Sequence, residues 1–233
     1  MAKRGKKYQA AAKLIEKDAY TIDEALELLK KTSITKFDSS CEIHLKLGVD
    51  PKQADQNIRT SVGLPHGTGK DVKVVAFVPE EDIKAAMAAG AIEAGTEELI
   101  AKIEKGWTDF DVAVATPDQM KALGKVAKIL GQKRLMPNPK AGTVSPDFAK
   151  AIEDLKKGKV ELRVDKDANL HNTFGKVSFS EDKLKENLKT LIKATLDAKP
   201  GSSRGVYLRS LTLTTSMGPG IPLDVNAAIL ECK

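Results

Sequence analysis

The sequence is poor in the side chains from which catalytic and metal centres are most often built. It holds only two cysteines and three histidines in 233 residues. The histidines, His44, His66 and His171, lie far apart in the chain, and none of them belongs to a nucleophile or zinc-ligand motif. The acidic residues are scattered singly or grouped on helix faces. We therefore expect no metal, no cofactor and no enzymatic activity.

Long apolar runs are also missing. No segment approaches the roughly 18 apolar residues that a membrane-spanning helix needs, and the basic amino terminus has no apolar core behind it. We therefore expect neither a signal peptide nor a membrane partner. Cys41 and Cys232, in a chain without a secretory leader, predict reduced thiols and a cytoplasmic location.

Positive charge is only weakly in excess, and the excess is unevenly placed. The chain carries 38 Lys and Arg against 32 Asp and Glu, a net charge of +6. Residues 1–66 and 160–233 together hold 23 basic and 18 acidic side chains, whereas residues 67–159 hold 15 and 14. Clustered positive charge favours a polyanionic partner. The two outer stretches are therefore the better candidates for a nucleic-acid surface.

Hydrophobic periodicity divides the chain into two parts. In the middle third, the apolar strands Val72–Val78 and Asp111–Ala115 alternate with helices, which indicates a sheet covered on both faces. One of these helices is predicted over residues 118–130, and another begins after a cap at Ser145. The outer stretches predict about four strands, apolar on one face and including a short one at Lys176–Phe179, with two helices. We predict an α/β protein with a discontinuous two-layer α+β outer domain (residues 1–67 and 160–233) and an inserted three-layer α/β, Rossmann-like domain (residues 68–159).

Glycines mark the predicted joints between these domains. Gly67 and Gly69 stand at one joint and Gly158 at the other, and we expect them to form a hinge. The first joint lies within Pro65–Lys70, which looks like a phosphate-binding loop. That motif requires Ser or Thr after its lysine and then a helix, whereas here an aspartate follows and then a strand. We predict a flexible connector and no nucleotide site.

The last predicted strand and its turn form a candidate contact surface. In Ser210–Thr214 two leucines alternate with one serine and two threonines, so one face is apolar and the other carries hydroxyls. Met217–Gly220 then ends the strand, since Pro219 cannot donate to a sheet ladder and the two glycines permit backbone angles that other residues avoid. Two interpretations of this pattern stay open. It is either an edge strand with an ordinary turn or a contact surface made of hydroxyls, a polarizable methionine and bare backbone.

A second candidate contact is Phe37, which follows Lys36 in a turn region of a chain with only 4% aromatic residues. Thr21–Glu24 has the pattern of a capping box and predicts the start of the preceding helix. Phe37 either covers the core beneath the end of that helix or stacks on a nucleotide. The strand that follows, Cys41–Val49, alternates and turns Glu42, His44 and Lys46 away from its apolar face.

Three motifs, in order along nearly the whole chain, resemble the ribosomal protein L-one family. They are Leu64–Gly67 with Gly69 and Lys70, then Met136–Lys140 followed by Gly142–Val144, and finally Ser216–Gly220. The resemblance is to the bacterial members of the family. It implies a non-catalytic protein at the mobile stalk of the large ribosomal subunit, with an inserted domain and a two-strand hinge.

The resemblance also implies the partners. We expect direct binding to large-subunit ribosomal RNA, assistance in releasing deacylated tRNA from the exit site, and repression of translation by binding to the messenger of the protein's own operon. We expect the free protein to be a monomer. For the loop Met136–Lys140 two interpretations stay open. It is either a rigid, proline-bounded loop or a tip that touches RNA or tRNA through Lys133, Arg134 and Lys140.

The family's RNA surface can be carried over onto matching positions. It falls on Lys36, Phe37, Glu42, Ser210, Ser216, Met217 and Gly218, with Arg163, His171 and Lys176 as further candidates. The hydroxyls of Thr212 and Thr214 join this set from the strand pattern. Two positions depart from the family: Ser216 stands where threonine is usual, and Thr173–Phe174 stands where Pro-Ile is common. The second departure bears on the shape of the loop near Lys176.

Overall fold

The computed structural model describes residues 4–232, which form a mixed α/β protein, as predicted. The described chain divides into two compact units. We term residues 4–69 with 160–232 the outer unit, and residues 70–159 the inserted unit. Whether each unit folds independently stays a prediction. No helix among the described residues is long and apolar enough to cross a membrane.

The described residues contain nine strands and eight α-helices. The strands are β1 (Ser40–Leu47), β2 (Arg59–Gly63), β3 (Val74–Phe77), β4 (Glu93–Ala94), β5 (Val112–Ala115), β6 (Lys159–Arg163), β7 (Asn169–Lys176), β8 (Leu208–Thr215) and β9 (Ile221–Pro222). The helices are α1 (Lys6–Ala12), α2 (Ile22–Lys31), α3 (Ile83–Ala88), α4 (Glu97–Glu104), α5 (Ala127–Gln132), α6 (Phe148–Lys156), α7 (Glu181–Asp197) and α8 (Val225–Cys232).

The outer unit is built on an antiparallel sheet with the strand order β7-β1-β8-β9. Every second residue of β1, from Cys41 to Leu47, is buried against helices α2, α7 and α8. The intervening residues are partly exposed, because no described element covers the other face. Helix α2 begins with the predicted capping box: Thr21 Oγ1 accepts from Glu24 N, and Glu24 Oε2 accepts from Thr21 N at 3.2 Å.

The inserted unit is built on a parallel sheet with the order β4-β3-β5. All four residues of β3 are buried. Val75 and Phe77 pack with residues of α4 and α5, whereas Val74 and Ala76 pack with residues of α3 and α6. Helices therefore cover both faces of this sheet, as the continuous apolar strands predicted.

Several predicted elements were wrong in detail. Lys176–Phe179 is not a separate strand, since Lys176 ends β7 and a turn follows. Helix α6 does not begin after a cap at Ser145, because the Asp147 carboxylate accepts from Lys150 N and caps the helix two residues later. The helix expected over residues 118–130 is broken into two short 3₁₀ segments and α5. Helix α8, capped by the Asp224 carboxylate, was missed.

Candidate nucleic-acid interface

The turn after β8 presents Met217 to solvent. The side chain of Met217 is 76% exposed, and its φ of 66° places it in the left-handed region. Neither of the two glycines of the turn has a left-handed angle. Gly218 is needed for another reason, since a Cβ there would lie 2.4 Å from Thr215 Oγ1. The Thr214 hydroxyl, 3.2 Å from the carbonyl oxygens of Gly218 and Pro219, can donate to either and holds the turn closed.

The loop between α2 and β1 lies at the same end of the sheet. Ser216 N donates to Ser40 O at 3.0 Å, and Ser40 N donates to Ser216 Oγ at 3.3 Å, which joins the end of β8 to the start of β1. Lys36 and Phe37 precede this link, and both are exposed. Phe37 is 63% exposed, so it does not cover the core beneath α2.

The end of β7 is the third segment of this corner. Lys176 Nζ donates to the carbonyl oxygen of Asp38 and to Ser40 Oγ, both at 3.3 Å. The Asp38 carboxylate accepts from Ser178 N at 3.1 Å and from Ser178 Oγ at 2.8 Å. The ammonium of Lys176 is thereby fixed beside the loop that carries Phe37. The structure thus brings Lys36, Phe37, Lys176, Ser216 and Met217 to one corner of the sheet, which we term the Met217 corner.

The remaining predicted residues form rows across the open face of the sheet. Three strands meet in each row, and the rows are Glu42 with Thr214 and Thr173, His44 with Thr212 and His171, and Lys46 with Ser210 and Asn169. Ser210 is six residues from Ser216 along β8, or roughly 20 Å in an extended strand. The predicted hydroxyls therefore run along the whole face. The alternation of β1 had marked Lys46 as outward-facing, but Asn169 beside Lys46 and Thr173 beside Glu42 were missed.

The central row contains two histidines in contact. Their Nδ1 atoms are 2.7 Å apart, and the rings meet edge to face. Partial burial lowers the pKa of His44, and the neighbouring His171 lowers it further, while Glu42 raises it. In the part of the chain that the structure describes, no group of three or more His, Cys, Asp or Glu side chains is placed to hold a metal ion.

Comparison with known proteins identifies the family. The sequence profile of the Ribosomal protein L1p/L10e family matches residues 29–219. The chain belongs to this family. It is also 52% identical over 227 residues to the large ribosomal subunit protein uL1 of Saccharopolyspora erythraea, an alignment that covers 97% of this chain and 95% of that relative. These matches confirm the resemblance to the bacterial type, and with it a structural, non-catalytic ribosomal protein of the cytoplasm.

Two predicted features of this L1-family chain lie outside the Met217 corner. Arg163 is exposed at the end of β6. The next residue, Val164, forms an antiparallel bridge with Leu170, which precedes His171 in β7. The loop Met136–Lys140 belongs to the inserted unit. Within it the Asn138 side chain accepts from Lys140 N, and Thr143 Oγ1 accepts from Asn138 N, both at 2.8 Å. These bonds favour the interpretation of a rigid loop.

The predicted hinge glycines all have left-handed backbones, with φ of 66° at Gly67, 71° at Gly69 and 102° at Gly158. Gly67 is tied to the outer unit, because the buried Asn187 amide donates to its carbonyl oxygen at 2.8 Å. Gly69 approaches Phe179 so closely that a Cβ would lie 3.0 Å from the ring. The chain is therefore held by the outer unit as far as Gly69.

Proposed function

We propose that this protein binds large-subunit ribosomal RNA directly at the mobile stalk, through the open face of the outer sheet and centred on the Met217 corner. The observation that carries the proposal is the 76% exposure of Met217 on a strained, left-handed turn. A non-glycine residue in that conformation costs free energy, and such strain concentrates at functional sites. An exposed aromatic, Phe37, supports the same location, since it stands at the same end of the sheet.

The chemistry of the corner suits structured RNA. Phe37 offers a stacking surface for a base, and the thioether of Met217 can pack on a sugar or a base face. The hydroxyls of Ser210, Thr212 and Ser216 can exchange hydrogen bonds with ribose and phosphate oxygens. Lys36 supplies a charge to the phosphate backbone, which positions the protein without reading sequence. The Thr214 hydroxyl is engaged with the turn, so its role is to hold Met217.

The predicted domains and hinge give this protein its second proposed role. We infer that the outer domain holds the RNA while the inserted domain hinges at Gly69 and Gly158 and assists the release of deacylated tRNA from the exit site. The left-handed glycines and the anchoring of Gly67 by Asn187 support this assignment of the pivot. Left-handed glycines permit backbone changes that other residues resist.

Footprinting on total ribosomal RNA tests the primary proposal. The protein should protect one compact region of the large-subunit RNA and leave the small-subunit RNA unprotected. Protection should weaken in Met217→Ala and persist in Met87→Ala, which truncates an exposed methionine of the inserted unit. If both RNAs are protected diffusely, and the two variants change this protection equally, the binding is non-specific and electrostatic. That result would contradict the proposed site.

We also propose repression of the protein's own operon messenger. The supporting observation is that all five residues of the Met217 corner belong to one unit of this chain. A messenger that copies the local RNA shape can occupy it. Feedback requires ribosomal RNA to bind more tightly, and a tenfold preference needs only about 1.4 kcal/mol. Affinities for both RNAs should be measured at one salt concentration, because the phosphate contribution depends on salt. Equal or tighter messenger binding would exclude this mechanism.

A further inference from the structure

The two histidines of the central row and the carboxylates of Glu42 and Asp165 form a group of four titratable side chains. His44 and His171 form its centre, with their Nδ1 atoms 2.7 Å apart. The outer nitrogen of each ring faces a carboxylate: His44 Nε2 is 3.9 Å from Glu42 Oε2, and His171 Nε2 is 3.4 Å from Asp165 Oδ2. The two histidines are 127 residues apart in the sequence, and only the pairing of β1 with β7 brings them together.

The contact between the rings limits the number of protons that the pair can hold. Only one hydrogen fits between the two Nδ1 atoms, so one ring donates and the other accepts. A neutral pair satisfies this contact. One additional proton fits on an outer nitrogen, where Asp165 or Glu42 compensates its charge. A second additional proton would place two N–H donors against each other, so the pair takes up one proton and resists another.

The surroundings favour the neutral pair when no ligand is bound. Burial and the charge of His171 lower the pKa of His44, and Glu42 only partly opposes this. Strand β1 also contributes Lys46, whose ammonium donates to the carbonyl oxygen of Asp167. Strand β8 faces the pair with Thr212, which carries no charge. The charged groups that the structure places against the pair are Glu42 and Asp165, and Lys46 belongs to the next row.

We propose that RNA binding to this face is coupled to the uptake of one proton by the His44–His171 pair. The inference rests on the proposed RNA-binding function. RNA phosphates bring negative charge towards four side chains that already include two carboxylates. A proton on the pair lowers the net charge of these four from −2 to −1 and so weakens the repulsion. The pair thus compensates part of the ligand's own charge.

The sign of the pH dependence follows from linkage. The complex binds more protons than the separated partners, so RNA affinity is highest at low pH and falls as pH rises through the midpoint of the pair in the complex. One proton permits at most a tenfold change in affinity per pH unit. Because the pKa of His44 in the free protein is lowered from its ordinary value, the tighter binding is fully present only below that lowered pKa. It is lost as pH rises through the higher pKa of the complex.

Calorimetry counts the proton directly. Binding of large-subunit ribosomal RNA is measured at pH 7 and constant ionic strength in two buffers with different ionisation enthalpies. The wild-type protein should take up a measurable fraction of a proton, and the uptake should be lost in the His44→Gln/His171→Gln double variant. His66→Gln is the matched control. Its Nε2 lies 2.6 Å from Glu186 in the outer unit, away from the row, and its loss should leave the uptake unchanged.

Nuclear magnetic resonance of wild-type protein gives a second readout that does not depend on the folding of a variant. The ring resonances of His44 should titrate at higher pH in the RNA complex than in the free protein, while 10 mM inorganic phosphate at the same ionic strength should leave the titration unshifted. If phosphate alone reproduces the shift, the pair responds to any anion and the coupling to RNA binding is overturned. RNA binding without proton uptake, or uptake that persists in the double variant, overturns this inference alone. Absence of RNA binding overturns the proposed function.

Discussion

The sheets of the two units differ in whether helices cover one face or both faces. In the outer unit β1 alternates buried and partly exposed residues, and its outward side chains are polar or charged. In the inserted unit every residue of β3 is buried, because helices cover both faces. The residues of β3 are therefore committed to the core. The outward side chains of the outer sheet lie outside its apolar core, and these are the side chains that we propose to bind RNA.

Separating the two units should have the largest effect. If residues 70–159 are replaced by a short Gly/Ser linker, the outer unit should stay folded and bind ribosomal RNA, because it has its own core and both cut ends belong to it. Residues 70–159 alone should show no saturable RNA binding. Circular dichroism and filter binding check the two halves. An unfolded outer unit, or specific binding by the inserted unit, would contradict the division of roles.

Two phenylalanines sharpen the comparison further. Phe77→Ala removes a fully buried ring from β3 and should lower the free energy of unfolding by about 3–5 kcal/mol. Phe37→Ala removes an exposed ring and should change that free energy by less than about 0.5 kcal/mol. It should instead weaken RNA binding by about 1–3 kcal/mol, the loss of one stacked base. Urea denaturation and RNA titration of both variants separate stability from binding.

The turn that carries Met217 should be sensitive to a single methyl group. Gly218→Ala places a Cβ 2.4 Å from Thr215 Oγ1, so the turn must shift and RNA affinity should fall by roughly tenfold. Gly201→Ala is the matched control, because its Cβ would meet no atom within 4 Å. If both variants bind RNA as tightly as the wild type, the geometry of this turn has no part in recognition.

The sequence predicted the layers of both units because each layer follows from local periodicity. Each of these patterns extends over only a few consecutive residues. Examples are the alternation in β1, the continuous apolar strand β3 and the capping box at Thr21. The start of α6 was harder to predict, because two candidate capping residues lie two positions apart. The helix is capped by the Asp147 carboxylate and not by Ser145. Helix α8 was missed although Asp224, a good capping residue, stands before it.

Parts of the candidate site could not be predicted from sequence because they depend on tertiary contacts. A left-handed angle is expected at glycine, yet the bonds from Thr214 and the contact of Gly218 with Thr215 place it at Met217. The adjacency of Phe37 to the Met217 turn was carried over from the family and depends on the bonds between Ser40 and Ser216. The His44–His171 contact joins strands that local patterns do not relate.

Removing one charge should produce a smaller effect. Lys36→Ala should lower the slope of log affinity against log salt concentration by about 0.7–0.9, the loss of one phosphate contact. Lys84→Ala removes an exposed lysine of the inserted unit and should leave the slope unchanged. Affinities measured between 50 and 200 mM salt (roughly the range over which such slopes are defined) check both. Equal slopes in the two variants would remove Lys36 from the interface.

The most direct test compares two exposed methionines, Met217 of the outer unit and Met87 of the inserted unit. Affinity for large-subunit ribosomal RNA is measured for Met217→Ala and Met87→Ala across a salt series, beside their unfolding free energies. Met217→Ala should weaken binding by about 1 kcal/mol, roughly fivefold, with the salt slope and stability unchanged, because it removes packing and no charge. Met87→Ala should bind like the wild type. Equal affinities for the two variants would show that the open face of the outer sheet does not bind the RNA through Met217.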